Sequence, residues 1–482
     1  AEIEVIYYSS SEQKALMTQS MDQCHLRDGV AHTLLTPQTR AQIPAQWIQL
    51  YLGQTDLVHP DWLVPMSYYL NPAAWNRAGG AYTGIDWKLL GWDYSRWKSP
   101  REGDSRMLHG ALHQAFLQWL EETIGANAIR TLSSTAIDAQ TEQLYADFLE
   151  AHLPSIPEMS YVDARRNYGS GFNFAHEGYD IVRGYGGSAA TTQLQHLAEL
   201  GASTTAIVPY SYMRSATRAD QIPVIYQATA ENDMATLHST WKAQELGMTV
   251  MLKPQVWISG SWPGAVDFNT DAEWDEWFNY YRQWILHYAM VASDNDIDIL
   301  CIGTEFTRAS LKHPEHWRSI IADIRRIYPG AITYAANWGE EYENIAWADA
   351  LDYIGCNAYY PLSPSLELSD RDLSKYVDKM VDKICQRADA MGKPLLLTEI
   401  GYRSIAAPWR QPHDTKLEGE ITAEDQSRMY DIVASALKSR STVHGIYWWK
   451  YPSYDGYRGR DDGGFTPYGK MQADLLKKVL DH

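Results

Sequence analysis

"KPLLLTEIGYRS", residues 393–404, sets the reading of this chain. Its three leucines form a short apolar run bounded by Pro394 and Gly401, the length and punctuation of a buried strand. The run closes on Thr398–Glu399, so a carboxylate stands at or just past the strand's C-terminal end. Earlier in the chain "LCIGTEF", residues 300–306, repeats the design with Glu305. A strand that is buried and then ends in a carboxylate suggests that the carboxylate has work at that end.

Other runs of the same kind surround these two. They are "GFNFA" (171–175), "TTAIVPY" (204–210), "TVMLKPQVW" (249–257), "IDILCIGTE" (297–305), "ITYAAN" (332–337), "LDYIGCNAYY" (351–360), "PLLLTEIG" (394–401) and "GIYWWK" (445–450). Amphipathic stretches such as "TTQLQHLAELG" and "HWRSIIADIRRIYPG" lie between most of them. Eight strands alternating with helices predict an α/β chain folded as a (β/α)8 TIM barrel over residues 161–482. A doubly wound open sheet is disfavoured, because no glycine-rich phosphate loop follows the first strand. Residues 1–160 read differently, as a mainly helical N-terminal accessory region whose clearest helix is "MLHGALHQAFLQWLEETIG".

Composition narrows the function. The chain has 482 residues and a formal charge of −19, which disfavours nucleic acid or an anionic membrane surface as the main partner. No run of eighteen apolar residues predicts a membrane span. The start at Ala1 carries no leader pattern, which fits a cytoplasmic chain or a secreted one with its leader removed and leaves the compartment open. Cys24, Cys301, Cys356 and Cys385 are far apart and read as small buried hydrophobes. Against 8 Phe stand 19 Trp and 32 Tyr, aromatics with an apolar face and a polar edge. Such side chains suit a groove for sugar rings, whose faces are CH and whose edges are hydroxyl.

In a barrel of this kind the active site forms at the C-terminal strand ends. Those ends carry Asn173 and His176–Glu177, then Tyr210–Ser211–Tyr212, Lys253 to Trp257, Glu305, Asn337–Trp338, Asn357 with Tyr359–Tyr360, Glu399, and Trp448–Trp449–Lys450. Carboxylates on strands four and seven face one mouth, an arrangement suited to cleaving a glycosidic bond by double displacement. One carboxyl group protonates the leaving oxygen and the other attacks the anomeric carbon. Lys253, Asn337 and Asn357 are candidate hydroxyl binders, and Lys253 reads equally well as an ion-pair partner. Trp257, Trp338 and either Trp448 or Trp449 are candidate stacking platforms, with one indole of the last pair expected in the barrel and the other against the helices. Tyr359 or Tyr360 is expected to hydrogen-bond Glu399.

Three further signals carry less. His109 and His113 have the i, i+4 spacing of a zinc pair, but the glutamate of that motif is replaced by Gly110. "HPEH" (313–316) reads as a solvated helix cap, and "GYGGS" (184–188) as a flexible substrate loop.

The stretches "TVMLKPQVWI", "CIGTEF", "TYAANWG", "LDYIGCNAYYPL" and "LLTEIGYRS…PW" together resemble glycoside hydrolase family 113, a clan A family of retaining β-mannanases, in the family's order over roughly residues 165–470. The resemblance implies Glu305 as acid/base and Glu399 as nucleophile, a β-linked oligo- or polysaccharide as substrate, and no metal or organic cofactor. Clan A enzymes commonly place Asn before the acid/base, and this chain has Thr304 there, in keeping with the family's own GTE form. Residues 1–160 lie outside the resemblance. Two other readings stay open: a clan A hydrolase of another β-glycan, and a barrel that binds carbohydrate without cleaving it.

Overall fold

The computed structural model describes residues 2–20, 22–36, 44–71, 85–101, 103–152, 154, 166–176, 180, 182–220, 222–223, 229–456 and 462–481. Strand β1 (Glu4–Tyr8), β2 (Cys24–Arg27) and β3 (Val30–Leu34) form a small sheet in the order β1-β3-β2. The barrel strands are β4 (Ser170–Ala175), β5 (Thr204–Ile207), β7 (Thr249–Leu252), β9 (Ile299–Thr304), β10 (Ala331–Asn337), β11 (Ile354–Asn357), β12 (Leu395–Ile400) and β13 (Val443–Pro452). All their pairings are parallel, and β13 returns to β4 to close an eight-membered ring. The expected strand at each position is present.

Two of them end sooner than expected. The runs at 204–210 and 249–257 each break at a proline, Pro209 and Pro254, which has no N–H to give to a ladder. Beyond the break the chains pair again as β6 (Tyr210–Met213) and β8 (Gln255–Ile258), a separate parallel two-stranded sheet. The barrel edge thus continues past its closed ring as a raised ledge.

The strands' alternation sorts the core into two populations. Met251, Ile299, Cys301, Ala335, Leu396 and Tyr447 belong to a cluster inside the ring. Leu252, Leu300, Ile302, Leu395 and Leu397 belong to the larger cluster shared with the helices. Gly303, on β9, is obligatory for packing, since a Cβ there would lie 2.6 Å from the Tyr281 hydroxyl. All four cysteines are buried and free.

The N-terminal region is mainly helical, with the three-stranded sheet as an element its sequence did not announce. Helix Arg106–Ile124 starts at Ser105, whose side chain caps Leu108 N–H, and stops at Gly125 with φ 83°. It lies against barrel helix Asp271–Asp294, where Ser105 Oγ meets His287 Nδ1 at 2.7 Å and Trp92 Nε1 donates to Gln283 at 3.2 Å. Buried Arg96 also reaches Gln283, at 2.6 Å, and forms an ion pair with Asp104. Ser11 Oγ donates to Gly186 O at 2.5 Å, which ties this region to the loop after β4. His109 and His113 are buried in the same core, and His109 Nε2 meets Trp97 O at 2.7 Å.

Two sequence expectations change here. "GYGGS" is not a loose loop: Tyr185 is fully buried and its hydroxyl donates toward the carbonyls of Phe174 and Val208, pinning the ends of β4 and β5 together. "HPEH" does open the helix Pro314–Arg325, with His313 at the N-cap position, but it is not fully solvated: His316 stacks on Phe278 at 4.3 Å and His313 lies tilted 4.2 Å from Trp274, leaving both rings half-buried. The tryptophan count also has a mainly structural cause. Ten Trp are fully buried among the described residues, including Trp62, Trp87, Trp92 and Trp97 in the N-terminal region, which leaves few for a groove.

Candidate active site

Residues on or just past β4, β7, β9, β11 and β12, with Gln255 of β8, bring polar groups together at the C-terminal mouth. Lys253 follows β7 with its side chain turned into the ring and has no exposed surface. Its ammonium donates to Glu399 Oε1 at 2.5 Å, Asn173 Oδ1 at 3.1 Å and Thr398 O at 3.3 Å, so all three donors are used. Lys253 is therefore an ion-pair partner rather than a hydroxyl binder. Asn173 holds this arrangement from β4, donating to Thr398 O at 3.1 Å and Tyr447 O at 3.0 Å.

Glu399 is 6 % exposed, and two more donors reach it. Tyr359 OH donates to Oε2 at 2.8 Å, and Gln255 Nε2 donates to Oε1 at 3.2 Å. Of the two tyrosines considered for this contact it is Tyr359 that makes it. The Tyr360 hydroxyl instead accepts from Gly339 N–H at 3.1 Å. A lysine, an amide and a phenol thus all donate to one carboxyl group. The Tyr359 phenol in turn is held far above its ordinary range, first by burial and then by the Glu399 charge, so it remains a donor.

Strand alternation alone would have turned Glu399 away from the mouth, because it shares parity with Leu395 and Leu397 on the helix-facing side. Register irregularities on both flanks of β12, between Cys356 and Asn357 and between Leu397 and Ile400, reverse this. The bulged segment also frees the Thr398 carbonyl for Lys253 and Asn173.

Glu305 stands just past β9 with φ 56°, in the left-handed region that non-glycine residues seldom enter and that costs about 1–3 kcal/mol. Its carboxyl Oε1 accepts from Asn357 Nδ2 at 2.9 Å. Burial first, and then the nearby charge of Glu399, push its pKa up to about 8. Asn357 is buried, and its Oδ1 accepts from Thr398 Oγ1 at 2.8 Å. One amide thus links the two Thr–Glu pairs, with its Oδ1 and one N–H of Nδ2 engaged. The outcome is two carboxyl groups in one mouth: Glu305, just past β9, with its pKa raised, and Glu399, on β12, ringed by donors.

Around them the aromatic groups divide. Trp448 is fully buried, stacks on Tyr430 at 4.4 Å and donates to Ser170 Oγ at 3.1 Å, so it is removed as a platform. Trp449 is its half-exposed neighbour, with the Lys253 ammonium 5.5 Å from its ring centre. Trp338 contacts Tyr360 at 5.4 Å and His413 at 5.1 Å, joining three successive loops. Trp257 is 62 % exposed and sits opposite Tyr212, 43 % exposed, across the β6/β8 ledge. Two residues back on the same face are Gln255 and Tyr210, so the ledge leads from the aromatic pair to Glu399. The Asn337 side chain is half-buried at the rim. Glu177, at the end of the first strand in sequence, lies outside the described residues. Among the described residues no group of three His, Cys, Asp or Glu is placed to hold a metal ion, and no helix is long and apolar enough to cross a membrane.

Gln255, Asn173 and Thr398 stand at the strand ends that the sequence marked, but no role in the site was assigned to them there. The available signal was the "KPQ" triplet: a proline that ends a ladder throws the next residue back toward the mouth.

Residues 176–470 match the family model for Glycoside Hydrolase Family 113. Among solved structures, the GH113 β-mannanase AaManA from Alicyclobacillus acidocaldarius, in complex with ManMIm, is 26 % identical with a TM-score of 0.55. That alignment covers 68 % of this chain and 99 % of the other. A structure described as a GH113 β-1,4-mannanase is 24 % identical with a TM-score of 0.57, over 65 % of this chain and 99 % of the other, and shares the fold. Comparison with curated proteins gives no match. A closed parallel barrel, a carboxyl pair at its mouth and a family match over more than half its length make this chain a glycoside hydrolase, and it belongs to glycoside hydrolase family 113.

Proposed function

We propose that the protein hydrolyses β-linked mannan or manno-oligosaccharides with retention of configuration. The observation that carries this reading is the Lys253–Glu399–Tyr359 arrangement beside a Glu305 whose pKa is pushed up to about 8. Glu399, ionised, attacks the anomeric carbon and forms a glycosyl-enzyme. Glu305 gives its proton to the leaving oxygen, then takes one from the water that releases the sugar. Lys253 and Tyr359 hold the nucleophile's rotamer. The mannose preference rests on the family and on the mannanase likeness, because fold alone does not choose among β-glycans.

Release of reducing sugar from mannan and a panel of other defined β-linked oligosaccharides tests the substrate. Proton NMR of the first-formed product tests the stereochemistry: the β-anomer is expected, and an α-anomer appearing first overturns double displacement. The separation of the two carboxyl groups is expected near 5–5.5 Å rather than the longer span an inverting water needs.

Trp257 offers the ledge a stacking surface well away from the reacting atoms. Trp257→Ala is expected to raise KM for a polymer about tenfold with kcat nearly unchanged, as the loss of one aromatic contact made equally in ground and transition states. Steady-state kinetics on a long and a short substrate check it, and the short one is expected to be less affected.

A further inference from the structure

The turn that carries Glu305 is held from behind by a second carboxylate that the chemistry above does not use. Glu341, in the helix Glu340–Asn344 after β10, is 1 % exposed. Its Oε1 accepts from Ser310 Oγ at 2.6 Å and Tyr334 OH at 2.7 Å, and its Oε2 from Asn337 N–H at 2.7 Å and Thr307 Oγ1 at 3.2 Å. Four donors fill the acceptor positions of the two oxygens; burial pushes the Glu341 pKa up, and these hydrogen bonds act against that shift. The donors come from two places. Thr307 and Ser310 lie in the helix Thr307–Lys312 that follows Glu305, whereas Tyr334 and Asn337 belong to β10. The Tyr334 hydroxyl also accepts from Phe306 N–H at 2.8 Å, so a single side chain separates Glu341 from the backbone next to Glu305.

That backbone is the strained one. A left-handed glutamate persists only where its surroundings leave it no alternative. Its own bonds to the strand are few: Glu305 N–H donates to Ala335 O at 2.9 Å, and Thr307 N–H donates to Glu305 O at 2.8 Å. We propose that Glu341 is a positioning residue for proton donation: it clamps the Glu305-bearing turn to β10 and so fixes where the Glu305 carboxyl meets the leaving oxygen. The titratable groups facing it are Tyr334 on β10, Cys356 on β11 and Glu305 itself. Its negative charge adds to that of Glu399 in favouring the proton on Glu305.

The inference rests on Glu305 being the general acid, and the test separates the two. A purely structural residue slows every substrate alike, whereas one acting through the acid matters most when the leaving group needs a proton. Wild type, Glu341→Gln and Tyr334→Phe are compared on a manno-oligosaccharide and on a dinitrophenyl β-mannoside, with pH profiles and thermal melts. Gln keeps the shape but presents an NH2 where a donor is already aimed, and it lacks the charge. Glu341→Gln is expected to lose about 30-fold or more in kcat/KM on the oligosaccharide and less than about threefold on the activated glycoside. Its alkaline limb should move to lower pH. Tyr334→Phe is expected to give the same pattern with a smaller amplitude. Equal loss on both substrates, or no loss in a folded variant, overturns the clamp. Should Glu341→Gln fail to fold, Tyr334→Phe decides by the same ratio. Should the wild type cleave no β-mannoside, the substrate reading fails, and the comparison is run on the β-glycoside that it does cleave.

Discussion

Glu399→Ala is expected to lose at least about a thousandfold in turnover, because no water in the vacated space reproduces a nucleophile held by three donors. Azide, small enough to enter that space, should restore part of the rate and yield the glycosyl azide of inverted configuration. The same variant is expected to be less stable. Lys253 has no exposed surface and loses its one carboxylate partner among the described residues, keeping Asn173 and the Thr398 carbonyl as acceptors. Breaking a buried pair from one side costs about 3–5 kcal/mol, since the remaining buried charge is left without its counter-ion. The double variant Lys253→Met with Glu399→Ala should recover much of that loss while remaining inactive. Chemical denaturation of wild type, Glu399→Ala and the double variant checks the stability, and steady-state rates with and without azide check the chemistry. Near-normal turnover in folded Glu399→Ala would remove it from the mechanism. Equal stability of single and double variants would mean the ion pair contributes nothing net.

The barrel was legible because its strands are buried on both faces. Such strands read as continuous apolar runs, and polar residues at their ends stand out against them, as Glu305 and Glu399 do. What escaped depends on contacts between segments far apart in sequence. The proline breaks at Pro209 and Pro254 could be seen, but not that β6 and β8 would find each other beyond them. The orientation of Glu399 depends on bulges in β12 that its leucine run does not reveal. Lys253 could be placed at the mouth but not paired, since Asn173, Thr398 and Glu399 come from two other strands. Trp448 and Trp449 show the limit most plainly: that the two adjacent indoles would split between barrel and helices was expected and holds, but not that Trp448 is the one packed against the helices. Glu341 gave no signal, sitting beside two other acidic residues in "GEEYEN" with nothing in the sequence to set it apart.

Glu305→Gln is the second large effect, and its size should depend on the substrate. Unactivated β-glycosides need the proton and are expected to lose about 10²–10⁴-fold, while activated aryl glycosides lose far less in the glycosylation step. The pH dependence follows from the same group. With a pKa pushed up to about 8, Glu305 is protonated at neutral pH and kcat/KM for unactivated substrates should fall as pH rises through about 8. That limb should vanish in Glu305→Gln. Stability carries the same signature with a definite sign. The folded state holds this proton more tightly than the unfolded chain, whose carboxyl titrates near 4.5, so between about 4.5 and 8 the unfolded state binds fewer protons and stability declines as pH rises. Glu305→Gln has no proton to lose and should flatten that decline, becoming relatively more stable than wild type toward alkaline pH. Denaturation midpoints of both proteins across pH 5–9 measure it. Parallel curves for the two proteins would mean that Glu305 titrates alike in both states, and the acid at the mouth would have to be sought in another residue.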